Sequence, residues 1–364
     1  MAAGGGVSAH VIADQPNADM ENTTQLFLGV RFVCAHCHDH PFEQWTNKQY
    51  FELSAFFAQV GVKEGTRNLE KVVYDKNDGE IVFPKTGRTA SPHFPYGQPL
   101  SASTAEGRRQ LLAEWLTSKN NPYFGKAIVN RVWSYFFARG IIDPVDDIRS
   151  SNPPVNPELL AALTKDFVDH HFDLRYLMRT IVSSRTYQLS ARTNEWNVDD
   201  EMNFSHASPR RLTAEELMDA ISIATGSCMV FKEVPAGFTA QALPDGKIGM
   251  GGFLDLFGRP QRESPCECER RSEVSLKQAL NLINGDTVGD SVADPSGRVA
   301  KMVLEGASDR QIIENLYLAA LSRMPGPQEF SHSEGYLKGG NNRAERAQDL
   351  LWALINSDAF LFNR

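Results

Sequence analysis

Asn121-Pro122-Tyr123-Phe124-Gly125-Lys126-Ala127-Ile128-Val129-Asn130-Arg131-Val132-Trp133-Ser134-Tyr135-Phe136-Phe137-Ala138-Arg139 is the stretch that decides the fold class. Asn121 is a residue type that caps helices, and Pro122 suits a first helical position because its missing amide would lack a partner there in any case. Phe124, Ile128, Val132, Trp133 and Phe136 then recur at helical spacing, which predicts one amphipathic helix over 122–139. The same grammar repeats on either side. A helix is expected over 106–118, another opened by Asn156-Pro157 and running through Val168, and another capped by Asp173 and running through Ser184. Thr213-Ala214-Glu215-Glu216 is a capping box for a helix ending at Gly226, and helices resume from about Ser275, the last from Arg343 to about Phe360.

Two segments break the helical pattern. Val72-Val73-Tyr74 and Ile81-Val82-Phe83 are β-prone runs around the turn residues Asp75-Lys76-Asn77-Asp78-Gly79, which predicts a small β-hairpin. From Ser227 to Ser272 periodicity disappears, giving one long irregular segment whose Phe253, Leu254, Leu256 and Phe257 argue for order. The expected fold is therefore mainly α: helical bundle-like domains with a small β-hairpin and one long irregular segment. Pro84, Pro92, Pro95, Pro99, Gly87 and Gly97 crowd residues 84–103, so a linker is expected there, between a first domain at 1–83 and a helical domain at 104–364.

Composition limits the function classes. The 364 residues carry a formal net charge of −8, 41% hydrophobic and 23% charged residues, and no apolar run approaches the length of a membrane span. Neither a transmembrane segment nor nucleic acid as a partner is expected, since Lys and Arg are dispersed. The cluster Arg259, Arg262, Arg270 and Arg271 is interleaved with Glu263, Glu267, Glu269 and Glu273, which reads as a solvated or salt-bridged face. Five cysteines are too few for a disulfide scaffold and are grouped for site chemistry instead.

The strongest chemical signal is Cys34-Ala35-His36-Cys37-His38. Two cysteines three apart, followed at once by histidine, give two sulfurs for thioether attachment of a haem and an imidazole for the iron. At this composition the pattern arises by chance in roughly two of a thousand such chains. Chance is not the only competitor. Cys34, Cys37, His38 and His40 also make a set of zinc ligand types, and Cys34 with Cys37 alone could be a redox-active pair. His36 and His40 lie too close to the attachment residues to reach the opposite face of a haem, which leaves Met20, His10 and His93 as candidates for a second axial ligand. In Asp39-His40-Pro41-Phe42-Glu43-Gln44-Trp45, His40 either ligates or hydrogen-bonds, and Phe42 and Trp45 either wall a pocket or belong to a turn packed on the core. Cys266-Glu267-Cys268 is a second candidate site: a metal, a disulfide from one of them to Cys228, or free thiols. No nucleophile elbow, phosphate loop or zinc-protease helix motif occurs.

The run from Phe27 to Trp45, FLGVRFVCAHCHDHPFEQW, resembles the closing part of the planctomycete cytochrome-associated domain. Asn130-Arg131-Val132-Trp133, Asn152-Pro153-Pro154, the run from Ser184 to Ser190, Pro209-Arg210-Arg211-Leu212, Phe257-Gly258-Arg259-Pro260 and Cys266-Glu267-Cys268-Glu269-Arg270 resemble, in order, the domain of unknown function that usually follows it. The resemblance covers nearly the whole chain. It implies a large exported protein with a signal peptide and often a separate cytochrome c domain, hence a periplasmic or extracellular location. The first residues here show no basic stretch followed by an apolar one, so a truncated chain is expected. The resemblance carries no catalytic residues. The function expected is that of a c-type haem-associated protein exchanging electrons with a redox partner protein. The alternatives are a haem-free helical scaffold or binding protein stabilised by zinc or a disulfide, and an extracellular oxidoreductase acting on a polymer.

Overall fold

The computed structural model describes residues 15–66, 71–76, 78–97, 107–249, 251–262, 270, 274–340 and 342–363. They are mainly helical, as expected, and form two compact units: one runs to Ser208 and takes in Arg262, the other holds Pro209–Gln261 and the described residues from Arg270 onward. The described residues of 84–103 fall within the first unit. Pro84 and Gly87 make a turn in which the Thr86 and Gly87 amides donate to Phe83 O. Ala90 and Phe94 are buried, with the Phe94 ring stacked between Phe56 and Trp115 at 4.9 Å from each. Proline and glycine mark turns whether or not a domain ends at them, and the aromatic residues between them find partners here.

Leu26, Phe27 and Val30 on one face predict a short helix from Glu21 to Arg31 with Asn22 or Thr23 as its cap. In the structure α1, in the first unit, starts earlier and spans Pro16–Leu28, because Gln15 precedes a proline at the first helical position. Asn22 and Thr23 lie inside it rather than capping it. It stops at Gly29, whose left-handed backbone (φ +65°) turns the chain towards the cysteine motif. A Cβ there would meet Ile148 Cδ1 at 2.9 Å. Helix α2, Asn47–Ser54, starts with a complete capping box: Thr46 Oγ1 accepts from the Gln49 amide, and the Gln49 side chain accepts from the Thr46 amide.

The strand pairing differs from the expected hairpin. β2 (Lys71–Asp75) pairs antiparallel with β1 (Val60–Glu64), from Val60 opposite Asp75 to Glu64 opposite Lys71. β3 (Ile81–Val82) pairs with β4 (Thr89–Ala90) across the Pro84–Gly87 turn. Val60-Gly61-Val62 supplies the nearer partner for β2. Gly61, lacking a side chain, lets the Tyr74 ring lie across it: a Cβ at residue 61 would fall 2.7 Å from that ring. Helices α3 (Arg108–Leu116), α4 (Phe124–Phe137), α5 (Pro157–Asp169) and α6 (Leu174–Val182) complete the unit. Asn156 and Asp173 cap α5 and α6 as expected. Asn121 instead closes the turn before α4, accepting from the Tyr123 and Phe124 amides. The buried face of α4 is Ala127, Val129, Asn130, Val132 and Trp133, whereas Phe124, Ile128 and Phe136 are half-buried around it.

The second unit opens with β5 (Arg210–Arg211), paired to β6 (Phe362–Asn363), and α7 (Ala214–Thr225), whose capping box and Gly226 terminus are those expected. The irregular stretch after α7 holds only a short 3-10 turn and α8 (Phe253–Leu256) among its described residues. Its order comes from burial of Phe231, Leu243, Ile248, Phe253, Leu254 and Phe257. Arg259 belongs to this interior rather than to a solvated face. Its guanidinium donates to Ile248 O (2.7 Å) and Asp245 O (2.8 Å), and it lies 3.9 Å from the buried Glu215, which also receives Arg270 (2.8 Å). Burial opposes ionisation of Glu215, and the two arginines overcome it, holding the carboxyl below its ordinary range. Helices α9 (Leu276–Asn284), α10 (Asp286–Ala293), α11 (Arg298–Leu304), α12 (Asp309–Leu321), α13 (Pro327–Lys338), α14 (Arg343–Ile355) and α15 (Asp358–Leu361) complete it.

Candidate functional site

The cysteine motif is held between α1 and α2. Val33–His36 form a single 3-10 turn in which the Ala35 amide donates to Phe32 O (2.8 Å). Phe32 and Ala35 are buried, Phe32 against Trp45 at a centroid distance of 4.7 Å. That anchorage turns the residues between outward. Cys34 and Cys37 are free thiols, exposed to solvent.

The three histidines of the motif region do three different things. His36 lies flat on Tyr50, 4.9 Å away and 13° from parallel, with Phe51 at its edge. Tyr50 itself donates to Glu21 (2.6 Å). Burial first, then that bond and the charges of Glu21 and Cys37, push the Tyr50 phenol far above the ordinary tyrosine range, so it stays a neutral platform. His38 is exposed, and its Nδ1 is 2.7 Å from Asp39 O. A carbonyl oxygen can only accept, so Nδ1 carries the proton and the Nε2 lone pair is left for a ligand, the arrangement that orients metal-binding histidines. His40 has the opposite polarity: its Nδ1 accepts from the Phe42 (3.2 Å) and Glu43 (3.0 Å) amides, which puts the ring proton on Nε2. As a possible ligand His40 is therefore spent on the turn that follows the motif.

Phe42 and Trp45 part company in the same way. Trp45 is buried against Phe32, Tyr96 and Tyr123. Phe42 is 81% exposed at the tip of the turn, with Val33 (56% exposed) the other open apolar residue of the motif region. Glu43 ties the turn to the Ser150 amide and hydroxyl (3.0 and 2.6 Å).

Two side chains that the motif pattern does not single out complete the site. Asp39 Oδ1 accepts from the Asn47 amide (2.8 Å), and Asn47 Nδ2 donates to Ala35 O (2.9 Å) and His36 O (2.6 Å). The available signal was an asparagine directly after an N-cap threonine, where no helical duty calls for an amide.

The remaining candidates are not gathered here. Met20 is wholly buried in the core, its sulfur 3.9 Å from Thr24 Oγ1. His93 is exposed and fixed by its backbone amide to Glu52 O. His10, Cys266 and Cys268 lie outside the described residues, and Cys228 is an exposed free thiol. Among the described residues no three His, Cys, Asp or Glu side chains stand together as a metal-holding group, so Cys34, Cys37, His38 and His40 do not form the four-donor cage that a structural zinc needs. Cavities of about 420 and 290 Å³ lie elsewhere in this unit, lined by the 195–203 loop and by Phe137, Arg139, Asp143 and Phe204, without any motif residue. No helix of the described residues is long and apolar enough to cross a membrane.

No curated protein and no solved structure matches the chain. Two family models do. PSCyt2, a protein of unknown function (DUF1549), matches residues 3–62, which take in the whole cysteine motif together with α1 and α2. PSD1, a protein of unknown function (DUF1553), matches residues 108–337, from the start of α3 to the end of α13. That second match spans more than half of the sequence, and the chain belongs to the PSD1 (DUF1553) family.

Proposed function

We propose that this chain carries a covalently attached c-type haem at Cys34, Cys37 and His38 and exchanges electrons with a partner protein. The observation that carries the reading is the polarity of His38: Nδ1 is committed to Asp39 O, so Nε2 is left for a ligand, and Cys37 and Cys34, one and four residues before it, are exposed free thiols. Cys34 and Cys37 would hold the group through sulfur and His38 through Nε2, while Val33 and Phe42 offer it apolar contact at the surface. One-electron exchange is the chemistry a haem supplies when bound. Attachment at an exposed turn suits a partner that approaches the motif directly, and thioether formation in bacteria implies an exported protein.

The test is expression behind a signal peptide in a host able to attach haem, followed by staining of the denatured chain for covalent haem. The expected result is one stained band, lost when Cys34→Ala and Cys37→Ala are combined and no thioether can form. An unstained chain containing stoichiometric zinc would overturn the reading.

One observation favours a haem-free scaffold as the second reading. The turn is closed by the chain's own groups, Asn47 on two carbonyls and His36 on Tyr50, so it needs no bound group to hold its shape. In that reading Cys34 and Cys37 serve as a thiol pair, and mass spectrometry of the exported protein finds them joined in a disulfide instead of haem-modified.

A further inference from the structure

We propose that Asn47 is the positioning residue of the Cys34–His38 site, the group that sets both cysteines and His38 on one rigid support. The inference rests on the reading of those three residues as the reacting set. Helix α2 does not need the Asn47 side chain: its start is completed by Thr46 and Gln49. The two amide protons of Asn47 are spent on Ala35 O and His36 O, the carbonyls of the two residues that separate the cysteines. Fixing both carbonyls fixes the peptide planes between the thiols.

The link runs the other way as well. The Asn47 backbone amide holds the Asp39 carboxylate, and Asp39 supplies the carbonyl that orients His38. One residue thus ties the cysteine turn on one side and the imidazole on the other to a helix whose Tyr50, Phe51 and Leu53 are locked in the core.

The chemistry of the amide makes the assignment specific. Asp in place of Asn47 would set carboxylate oxygens against two carbonyl oxygens, replacing two attractions by two repulsions. At a first helical position, however, an acidic residue is favourable to the helix itself. A loosened site above an intact helix is therefore the signature of Asn47→Asp, and Asn47→Ala is the milder variant for the site.

The experiment compares hydrogen exchange and covalent haem content of the exported wild-type chain, N47A and N47D. In N47D the peptide 33–40, which holds the Ala35 amide bonded to Phe32 O and the His40 amide bonded to Trp45 O, is expected to exchange at least about tenfold faster, with 50–57 unchanged within about twofold. N47A falls between the two. Haem content per chain is expected to drop at least about fivefold in N47D, the loss that misplaced reacting groups produce. Exchange in 33–40 that stays within about twofold of wild type, or that rises equally over 50–57, overturns the inference. Full haem content in N47D overturns it too. A wild-type chain without haem would sink the haem reading alone, and the exchange pattern would then decide the role of Asn47 by itself.

Discussion

Replacing His40 separates an acceptor from a ligand. Its Nδ1 takes two main-chain amides, Phe42 (3.2 Å, exposed) and Glu43 (3.0 Å, half-buried). In His40→Ala the Glu43 amide loses a half-buried partner, a cost of about 1 kcal/mol, and the Phe42 amide turns to water at a cost of a few tenths, about 1.3 kcal/mol together. His40→Asn keeps the interaction, because an asparagine carbonyl accepts naturally from the amides two and three residues on; the expected cost is about 0.3 kcal/mol. With a urea slope of about 2.5 kcal/mol/M, the midpoint for the first unit should fall by about 0.5 M in H40A and by about 0.1 M in H40N. Trp45, buried next to this turn and accepting the His40 amide, makes tryptophan fluorescence a suitable signal. If H40N destabilises as much as H40A, the acceptor role is refuted. If H40N keeps its stability but loses haem or metal, His40 is a ligand after all and the polarity argument fails.

Three further outcomes follow from the packing. Asn130 is fully buried and bonds Ile142 N and O (2.8 Å each) and Val145 O (3.3 Å), so Asn130→Ala should cost about 3–5 kcal/mol in chemical denaturation, three buried polar groups being left without partners; a loss under about 1 kcal/mol would show that the loop repacks. Gly29→Ala should cost about 2–3 kcal/mol from the left-handed backbone and the approach to Ile148, seen as a lower melting temperature, and an unchanged one would contradict the geometry. Arg323, with help from the Gly326 amide, holds the Glu329 carboxyl at about 2. Because a depressed carboxylate stabilises above its unfolded pKa and loses that contribution as pH falls towards its folded one, the gap between wild type and Glu329→Gln, under about 1 kcal/mol for so exposed a pair, should close between about pH 4.5 and 2. A gap independent of pH would assign it to capping alone.

Much of the helical framework was legible because its signals are local. Thr213 with Glu216, Asn156 before Pro157, Asp173 and Gly226 each act within one turn of themselves, and each does in the structure what its type predicts. The errors came where an interaction spans the chain. The run 71–75 could pair forwards or backwards, and Gly61 opposite Tyr74 decided for β1. In the proline-rich stretch after Phe83, which composition reads as a linker, the packing of Phe94 between Phe56 and Trp115 is equally a long-range matter that local signals do not carry. The cluster around Arg259 reads as a solvated or salt-bridged face; Arg259 is salt-bridged but buried, and its partners are not the interleaved glutamates near in sequence but Glu215 and the carbonyls of Asp245 and Ile248.

The cysteine motif divides in the same way. By itself the sequence determined which atoms are on offer, two sulfurs and an adjacent imidazole, because donor chemistry is a property of residue type and spacing. Only the tertiary structure decided which of the neighbouring histidines keeps a lone pair for a ligand and which residue holds the turn. Those depend on where Asp39 O, the Phe42 and Glu43 amides and the Asn47 side chain come to lie once α2 is anchored in the core. Tautomer and orientation are set by hydrogen bonds at a few ångströms, and spacing along the chain does not encode them.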